Sequence, residues 1–209
     1  MTDVHPTTRP VDDSVLSRIA GGAAILAGTL LTVTQLGIYA TFDRTDMVAS
    51  SAGAAFRSFS IGHALAFAML VLAVVALYVR SERQGGWGRF SAFAAAALGT
   101  MALGADMWFE AFTAPWLMEV LPQVATVPKT AIWQAGFLSS FVLFAVGWVA
   151  FGVSCLRTKE LPPAISVAIV VGGVVGFWAA QPPFALPLAL ALVAAGVWVR
   201  HADRAPAQG

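Results

Sequence analysis

Apolar residues run through this chain in long unbroken stretches, without the alternation of a strand. No charge stands between Arg18 and Asp43, between Arg57 and Arg80, or between Lys129 and Arg157. A fourth stretch opens after Arg89 and meets its first charge at Asp106, and a fifth runs uncharged over 161–199. The first three each exceed the roughly 20 residues that cross about 30 Å of hydrocarbon. The fifth has length for two crossings. Gln181-Pro182-Pro183 divides it, because consecutive prolines remove backbone donors and break a helix. The pattern predicts six spans near 18–41, 58–79, 90–112, 131–155, 163–180 and 183–199. Continuously apolar runs favour helices over a barrel, and a helix satisfies its own backbone inside lipid. The expected fold is an all-α polytopic transmembrane bundle over 18–200, with a disordered tail over 1–17 and a second tail over 201–209.

The Lys/Arg bias sets the orientation. With the N-terminus inside, Arg9, Arg18, Arg80, Arg83, Arg89, Arg157, Lys159, Arg200 and Arg204 are cytoplasmic, and only Arg44, Arg57 and Lys129 lie outside. Both termini are therefore expected in the cytoplasm, in a multi-pass protein of the cell membrane. The tail ahead of span one carries Asp3, Asp12 and Asp13 where a signal peptide has a basic region, so the span is expected to be retained. The segment from Ala111, interrupted by Pro115, Pro122 and Pro128, suits a stretch lying in the headgroup region or folding back over the bundle, with Trp116 as interfacial anchor or lid.

Composition agrees. Apolar residues make up 58% of the chain and charged residues 11%, with a mean hydropathy of +0.78, whereas soluble domains carry about 25% charged residues. Lipid is the solvent such a surface requires. A net charge of +1 leaves no electrostatic footprint for nucleic acid. The single cysteine, Cys155, rules out a disulfide within the chain and reads as a small apolar residue at a helix end, or as a site for palmitoylation. Gly172 with Gly176, and Ala95 with Gly99, have the small-xxx-small spacing that lets helices approach closely.

Charges inside spans are costly and mark candidate chemistry. Asp106 and Glu110 stand four residues apart on one face of span three, with Glu110 near the outer hydrocarbon boundary and Asp106 one turn inside it. His63 in span two, Gln35 and Tyr39 in span one, Trp133 and Gln134 opening span four, and Trp178 and Gln181 closing span five fall at a similar depth. Such one-sided concentration suits a cavity open to the outer face. Asp106, Glu110 and His63 are the candidate catalytic residues. Gln35, Tyr39, Phe67, Trp108, Trp133, Gln134 and Trp178 are the candidates for holding a substrate. Each has a plainer reading: snorkelling at a span end, an interhelical hydrogen bond, or packing. The stripes Phe56, Phe59, His63, Phe67 and Trp133, Phe137, Phe141, Phe144, Trp148, Phe151 are first of all packing surface. One intramembrane histidine excludes a bis-histidine haem and gives little support to zinc, so no metal and no cofactor are expected.

Three functions compete. The first is an enzyme using Asp106 and Glu110 for general acid–base work on a lipid-soluble, isoprenoid-like substrate. In size, topology type and intramembrane acids the chain is similar to the small membrane terpene cyclases, a resemblance that implies acid-initiated cyclisation. The second is a proton-coupled binding or transport protein. The third is a non-catalytic accessory subunit, with an oligomer or a partner subunit covering the outer polar cluster. The opening Arg18-Ile19-Ala20-Gly21-Gly22 and the overall layout resemble uncharacterised six-helix bacterial membrane proteins, which implies a fold and no activity.

Overall fold

The uncharged stretches fold as helices, the fifth as two parted by a turn over 179–185, in the computed structural model, which describes residues 15–43, 46–81, 86–125 and 127–204. The elements are α1 (Val15–Thr41), the short α2 (Met47–Ala52), α3 (Ala54–Ser81), α4 (Trp87–Trp108), α5 (Ala114–Val120), α6 (Ala131–Thr158), α7 (Pro163–Val175) and α8 (Leu186–Arg204). No strand occurs among the described residues. The tail expected over 1–17 lies outside the described residues up to 14, and Val15–Ser17 belong to α1. Of the tail expected over 201–209, His201–Arg204 belong to α8 and 205–209 lie outside the described residues.

Five segments are long and apolar enough to cross a membrane: Val15–Thr41, Ala54–Arg80, Trp87–Val120, Ala131–Thr158 and Leu186–Arg204. They make this a helical membrane protein. The segment expected as span five is shorter. Its α-helix has 13 residues and then tightens into a 3-10 turn over Gly176–Trp178.

Six helices close into a ring in which α1 packs on α3, α3 on α4, α4 on α6, α6 on α7, α7 on α8, and α8 back on α1. Small residues set these seams. A Cβ on Gly147 would lie 2.7 Å from Ala96 Cα, one on Gly99 2.6 Å from Phe144 N, and one on Gly172 2.6 Å from Leu188 Cα. Backbone therefore meets backbone, and van der Waals contact replaces the hydrophobic drive that lipid cannot supply. Gly172 and Gly99 carried the spacing seen in the sequence. Inside the ring, the core includes a ladder of rings: Phe67 to Phe144 at 5.7 Å, Phe144 to Trp148 at 6.2 Å and Trp148 to Phe151 at 5.8 Å. The buried Trp148 donates its Nε1–H to Thr100 Oγ1 at 3.0 Å, so its polar edge is satisfied.

Span three also departs from expectation. It does not end near 112 but continues to Val120. Pro115 has no N–H and its ring collides with the carbonyl four residues back in a regular α-helix. A π-helical turn over Phe109–Thr113 precedes it, and Ala114 N–H bonds to the Phe109 carbonyl, so the wider turn carries the helix past the proline. The loop after α1 is also structured. Asp46 caps α2 by accepting from Ala49 N at 3.0 Å, and Ser51 reaches Met118 Sδ of α5 at 3.3 Å.

Below, the end of the ring holding Arg18, Arg80, Arg89, Arg157 and Arg200 is the basic end, and the opposite one is the distal end.

Candidate functional site

The distal half contains a buried polar knot built on His63, which is 2% exposed, and Gln35, which is fully buried. Gln35 Nε2 lies 2.7 Å from the Ala179 carbonyl and 3.3 Å from His63 Nε2. His63 Nδ1 lies 3.2 Å from Thr34 Oγ1, which donates to the Leu30 carbonyl at 2.8 Å. The amide nitrogen is donor only, so His63 Nε2 accepts and the ring hydrogen sits on Nδ1. Turning the amide over would set its oxygen against the Ala179 carbonyl, so its orientation is fixed as well. Gln35 Oε1 is left buried without a partner among the described residues.

The carboxyl pair stands across the same layer. Asp106, half-buried on α4, accepts a hydrogen bond from the Ser140 hydroxyl of α6. That hydroxyl also lies 2.7 Å from the Phe137 carbonyl, so its single hydrogen serves one acceptor at a time. His63 and Ser140 each stand one helical turn distal to the touching rings Phe67 and Phe144, and Phe67 also packs on Gly104, two residues from Asp106. The two polar groups thus share a level. No hydrogen bond joins them: His63 is tied to α1, and Asp106 to α6.

Beyond Asp106 and Ser140 the α4–α6 seam opens. Ala131 to Gly136 are all exposed, and a Cβ on Gly136 would meet nothing within 4 Å. Glu110, in the π turn, is exposed, as are Trp108, Phe109 and Phe112, and Trp108 packs on Phe112 at 4.7 Å. Trp133 is exposed, stacks on Phe137 at 5.1 Å and takes Lys129 Nζ over its ring at 5.5 Å. Gln134 faces outward and donates to the Lys129 carbonyl at 3.1 Å. Trp178 is exposed and packs on Phe141 and Phe177. Tyr39 is 65% exposed and, with Ile38, Phe42, Pro182, Pro183 and Phe184, lines an open cleft of about 580 Å³. Of the ten candidates, the structure joins Gln35 directly to His63, and His63 to Phe67 edge-on at 5.2 Å. Asp106 and Glu110 sit at the open seam, and Tyr39, Trp133, Gln134 and Trp178 face outward on other elements.

Sequence reading found nothing comparable in the basic half. The structure places a buried ion pair there. Both Nη atoms of Arg89 engage the two carboxylate oxygens of Glu160, one of them at 2.8 Å. Thr158 Oγ1 donates to Glu160 at 2.6 Å, Cys155 Sγ lies 4.0 Å away, and the Arg89 guanidinium covers the Tyr78 ring at 5.4 Å. Lys159 ends α6 in the left-handed region at φ 55, which turns Glu160 back toward the bundle. The available signal was a lone arginine and a lone glutamate, each bordering an uncharged run.

Among the described residues, no group of three or more His, Cys, Asp or Glu side chains could hold a metal ion. Comparison with known proteins gives no matching family model, no matching curated protein and no matching solved structure.

Proposed function

We propose that this membrane protein acts on a lipid-soluble, isoprenoid-like molecule where α4 and α6 part, with Asp106 and Glu110 as general acid and base. In this reading all six helices of the ring cross the cell membrane, both termini are cytoplasmic, and the distal end lies in the outer leaflet. The observation that supports it is the position of the carboxyl pair. Asp106 is held by Ser140 at the last closed contact of the seam, and Glu110 stands on the same helix, exposed at the opening. A substrate dissolved in the bilayer reaches such a site sideways, without leaving lipid.

The chemistry needs two proton positions. One carboxyl group delivers a proton to a carbon–carbon double bond, and the resulting cation loses a proton from a neighbouring carbon to the other carboxylate. The net result is isomerisation or ring closure, with no group gained or lost. Trp108 and Phe112 pack on each other on the opposite face of this helix from the two carboxyls, so they take no part in this reading. Gln35 and His63 serve as struts in this reading, since both ring nitrogens of His63 are engaged in the knot.

The test compares lipid extracts, by mass spectrometry, from cells producing the wild type, Asp106→Asn or Glu110→Gln. Asparagine keeps an acceptor for Ser140, so both variants are expected to insert and fold. An apolar product present with the wild type and missing with both variants is the expected result. Identical extracts from all three would sink the reading.

One observation favours a second reading, a non-catalytic subunit: six consecutive exposed residues, Ala131 to Gly136, open α6. A partner helix laid there would cover Ile132 and Trp133. Loss of a co-purifying protein on Ile132→Ser, with unchanged lipid extracts, would identify that role.

A further inference from the structure

We infer that the cleft between the distal end of α1 and the α7–α8 turn is a second site, one that takes a neutral lipid-soluble alcohol or phenol. It is separate from Asp106 and Glu110 and does not depend on their role.

Its size and lining carry the first part. At about 580 Å³, walled by Ile38, Tyr39 and Phe42 on one side and Pro182, Pro183 and Phe184 on the other, it has the volume and the aromatic, apolar character of a small-molecule site. Proline faces and two phenylalanine rings suit a flat or ring-bearing ligand body.

The polar inventory carries the second part. Prolines have carbonyls and no N–H, so neither Pro182 nor Pro183 can donate from its backbone. The Pro183 carbonyl already accepts from Leu186 N at 3.0 Å. The Pro182 carbonyl and the Tyr39 hydroxyl have no hydrogen-bond partner among the described residues. No charged side chain is among the described lining residues, so they offer a charged head no counter-ion. A ligand hydroxyl is the group that could both donate to the Pro182 carbonyl and accept from the Tyr39 hydroxyl.

The walls are also held apart at a fixed spacing. Gln35 lies one turn before Tyr39 on α1, and Ala179 lies three residues before Pro182. The 2.7 Å bond between their amide and carbonyl ties the two walls together just basal to the cleft. A ligand therefore meets walls already in place, which reduces the cost of ordering them on binding.

The experiment uses the full chain in phosphatidylcholine nanodiscs, a diazirine-bearing alkylphenol, and the methyl ether of that probe. The phenol is expected to label the peptides carrying Tyr39 and Phe184, and to be displaced by unlabelled alkylphenol. The ether, which cannot donate, and the Tyr39→Phe variant are each expected to reduce labelling about three- to tenfold, the worth of one hydrogen bond in an apolar site. Tyr39 is largely exposed, so the phenylalanine variant retains the fold. Equal labelling by phenol and ether, or labels spread over outward-facing residues such as Leu98 and Val146, would mean partition into lipid alone and would overturn the site.

Discussion

The side-chain amide of Gln35 lies 2.7 Å from the carbonyl oxygen of Ala179, across 144 residues of chain. Its other hydrogen is directed at His63, so one buried side chain fastens α1 to α3 and to the turn leading into α8. Replacing Gln35 by leucine removes the donor from two acceptors at once. The expected loss is about 1–2 kcal/mol, toward the upper end for interhelical hydrogen bonds in membranes. Thermal unfolding in detergent measures it, and an unchanged midpoint would show the knot to be idle.

The same network assigns the His63 hydrogen to Nδ1. Nitrogen NMR of the ring is therefore expected to show a protonated Nδ1 and an imine-type Nε2. The opposite tautomer would require the Gln35 amide to turn over against the Ala179 carbonyl, and would refute the assignment.

The distal layer was legible in the sequence in part. Spacing alone put Asp106 and Glu110 on one helix face, and the depth count put His63 and Gln35 at one level. Neither spacing nor depth gives the rotation of one helix against another, so the choice of partner was hidden. His63 turns to Thr34 and Gln35, and Asp106 turns to Ser140, a serine with nothing in its local sequence to distinguish it. Pro115 misled in a different way. It reads as a break because a regular helix cannot pass it, and the π turn ahead of it is an irregularity that hydropathy does not register. The spans themselves were readable because lipid demands uncharged length, a property of single segments.

Arg89 and Glu160 stayed hidden for a related reason, since 71 residues separate them. Their side chains are only 5% and 9% exposed. Arg89→Leu alone is expected to cost about 3–5 kcal/mol, because it strands a buried carboxylate, whereas the Arg89→Leu/Glu160→Leu double variant should recover most of that loss. A double-mutant cycle on unfolding stability checks this, and additive losses would show that the two groups act independently.

Two glycines on adjoining helices should respond in opposite ways. Gly99→Ala drives a methyl group into the backbone at Leu143 and Phe144, an overpacking expected to cost about 1–3 kcal/mol. Gly136→Ala enters open space and should gain about 0.5–1 kcal/mol from the backbone freedom it removes. Yield of monodisperse protein and unfolding midpoints report both, and a tolerated Gly99→Ala would contradict the tight seam.

That seam has a mechanical consequence. Helix α6 is gripped by α4 from Gly147 out to Ser140, and its first two turns, ahead of Ser140, project beyond that grip as a cantilever does from its clamp. From Ser140 to Trp133 the arm is about 10 Å, so a tilt of about 5° would swing the tryptophan by about 1 Å. The seat of that arm is set by the alanine and glycine contacts behind it, and one methyl group added there would shift Trp133 without touching any residue beside it.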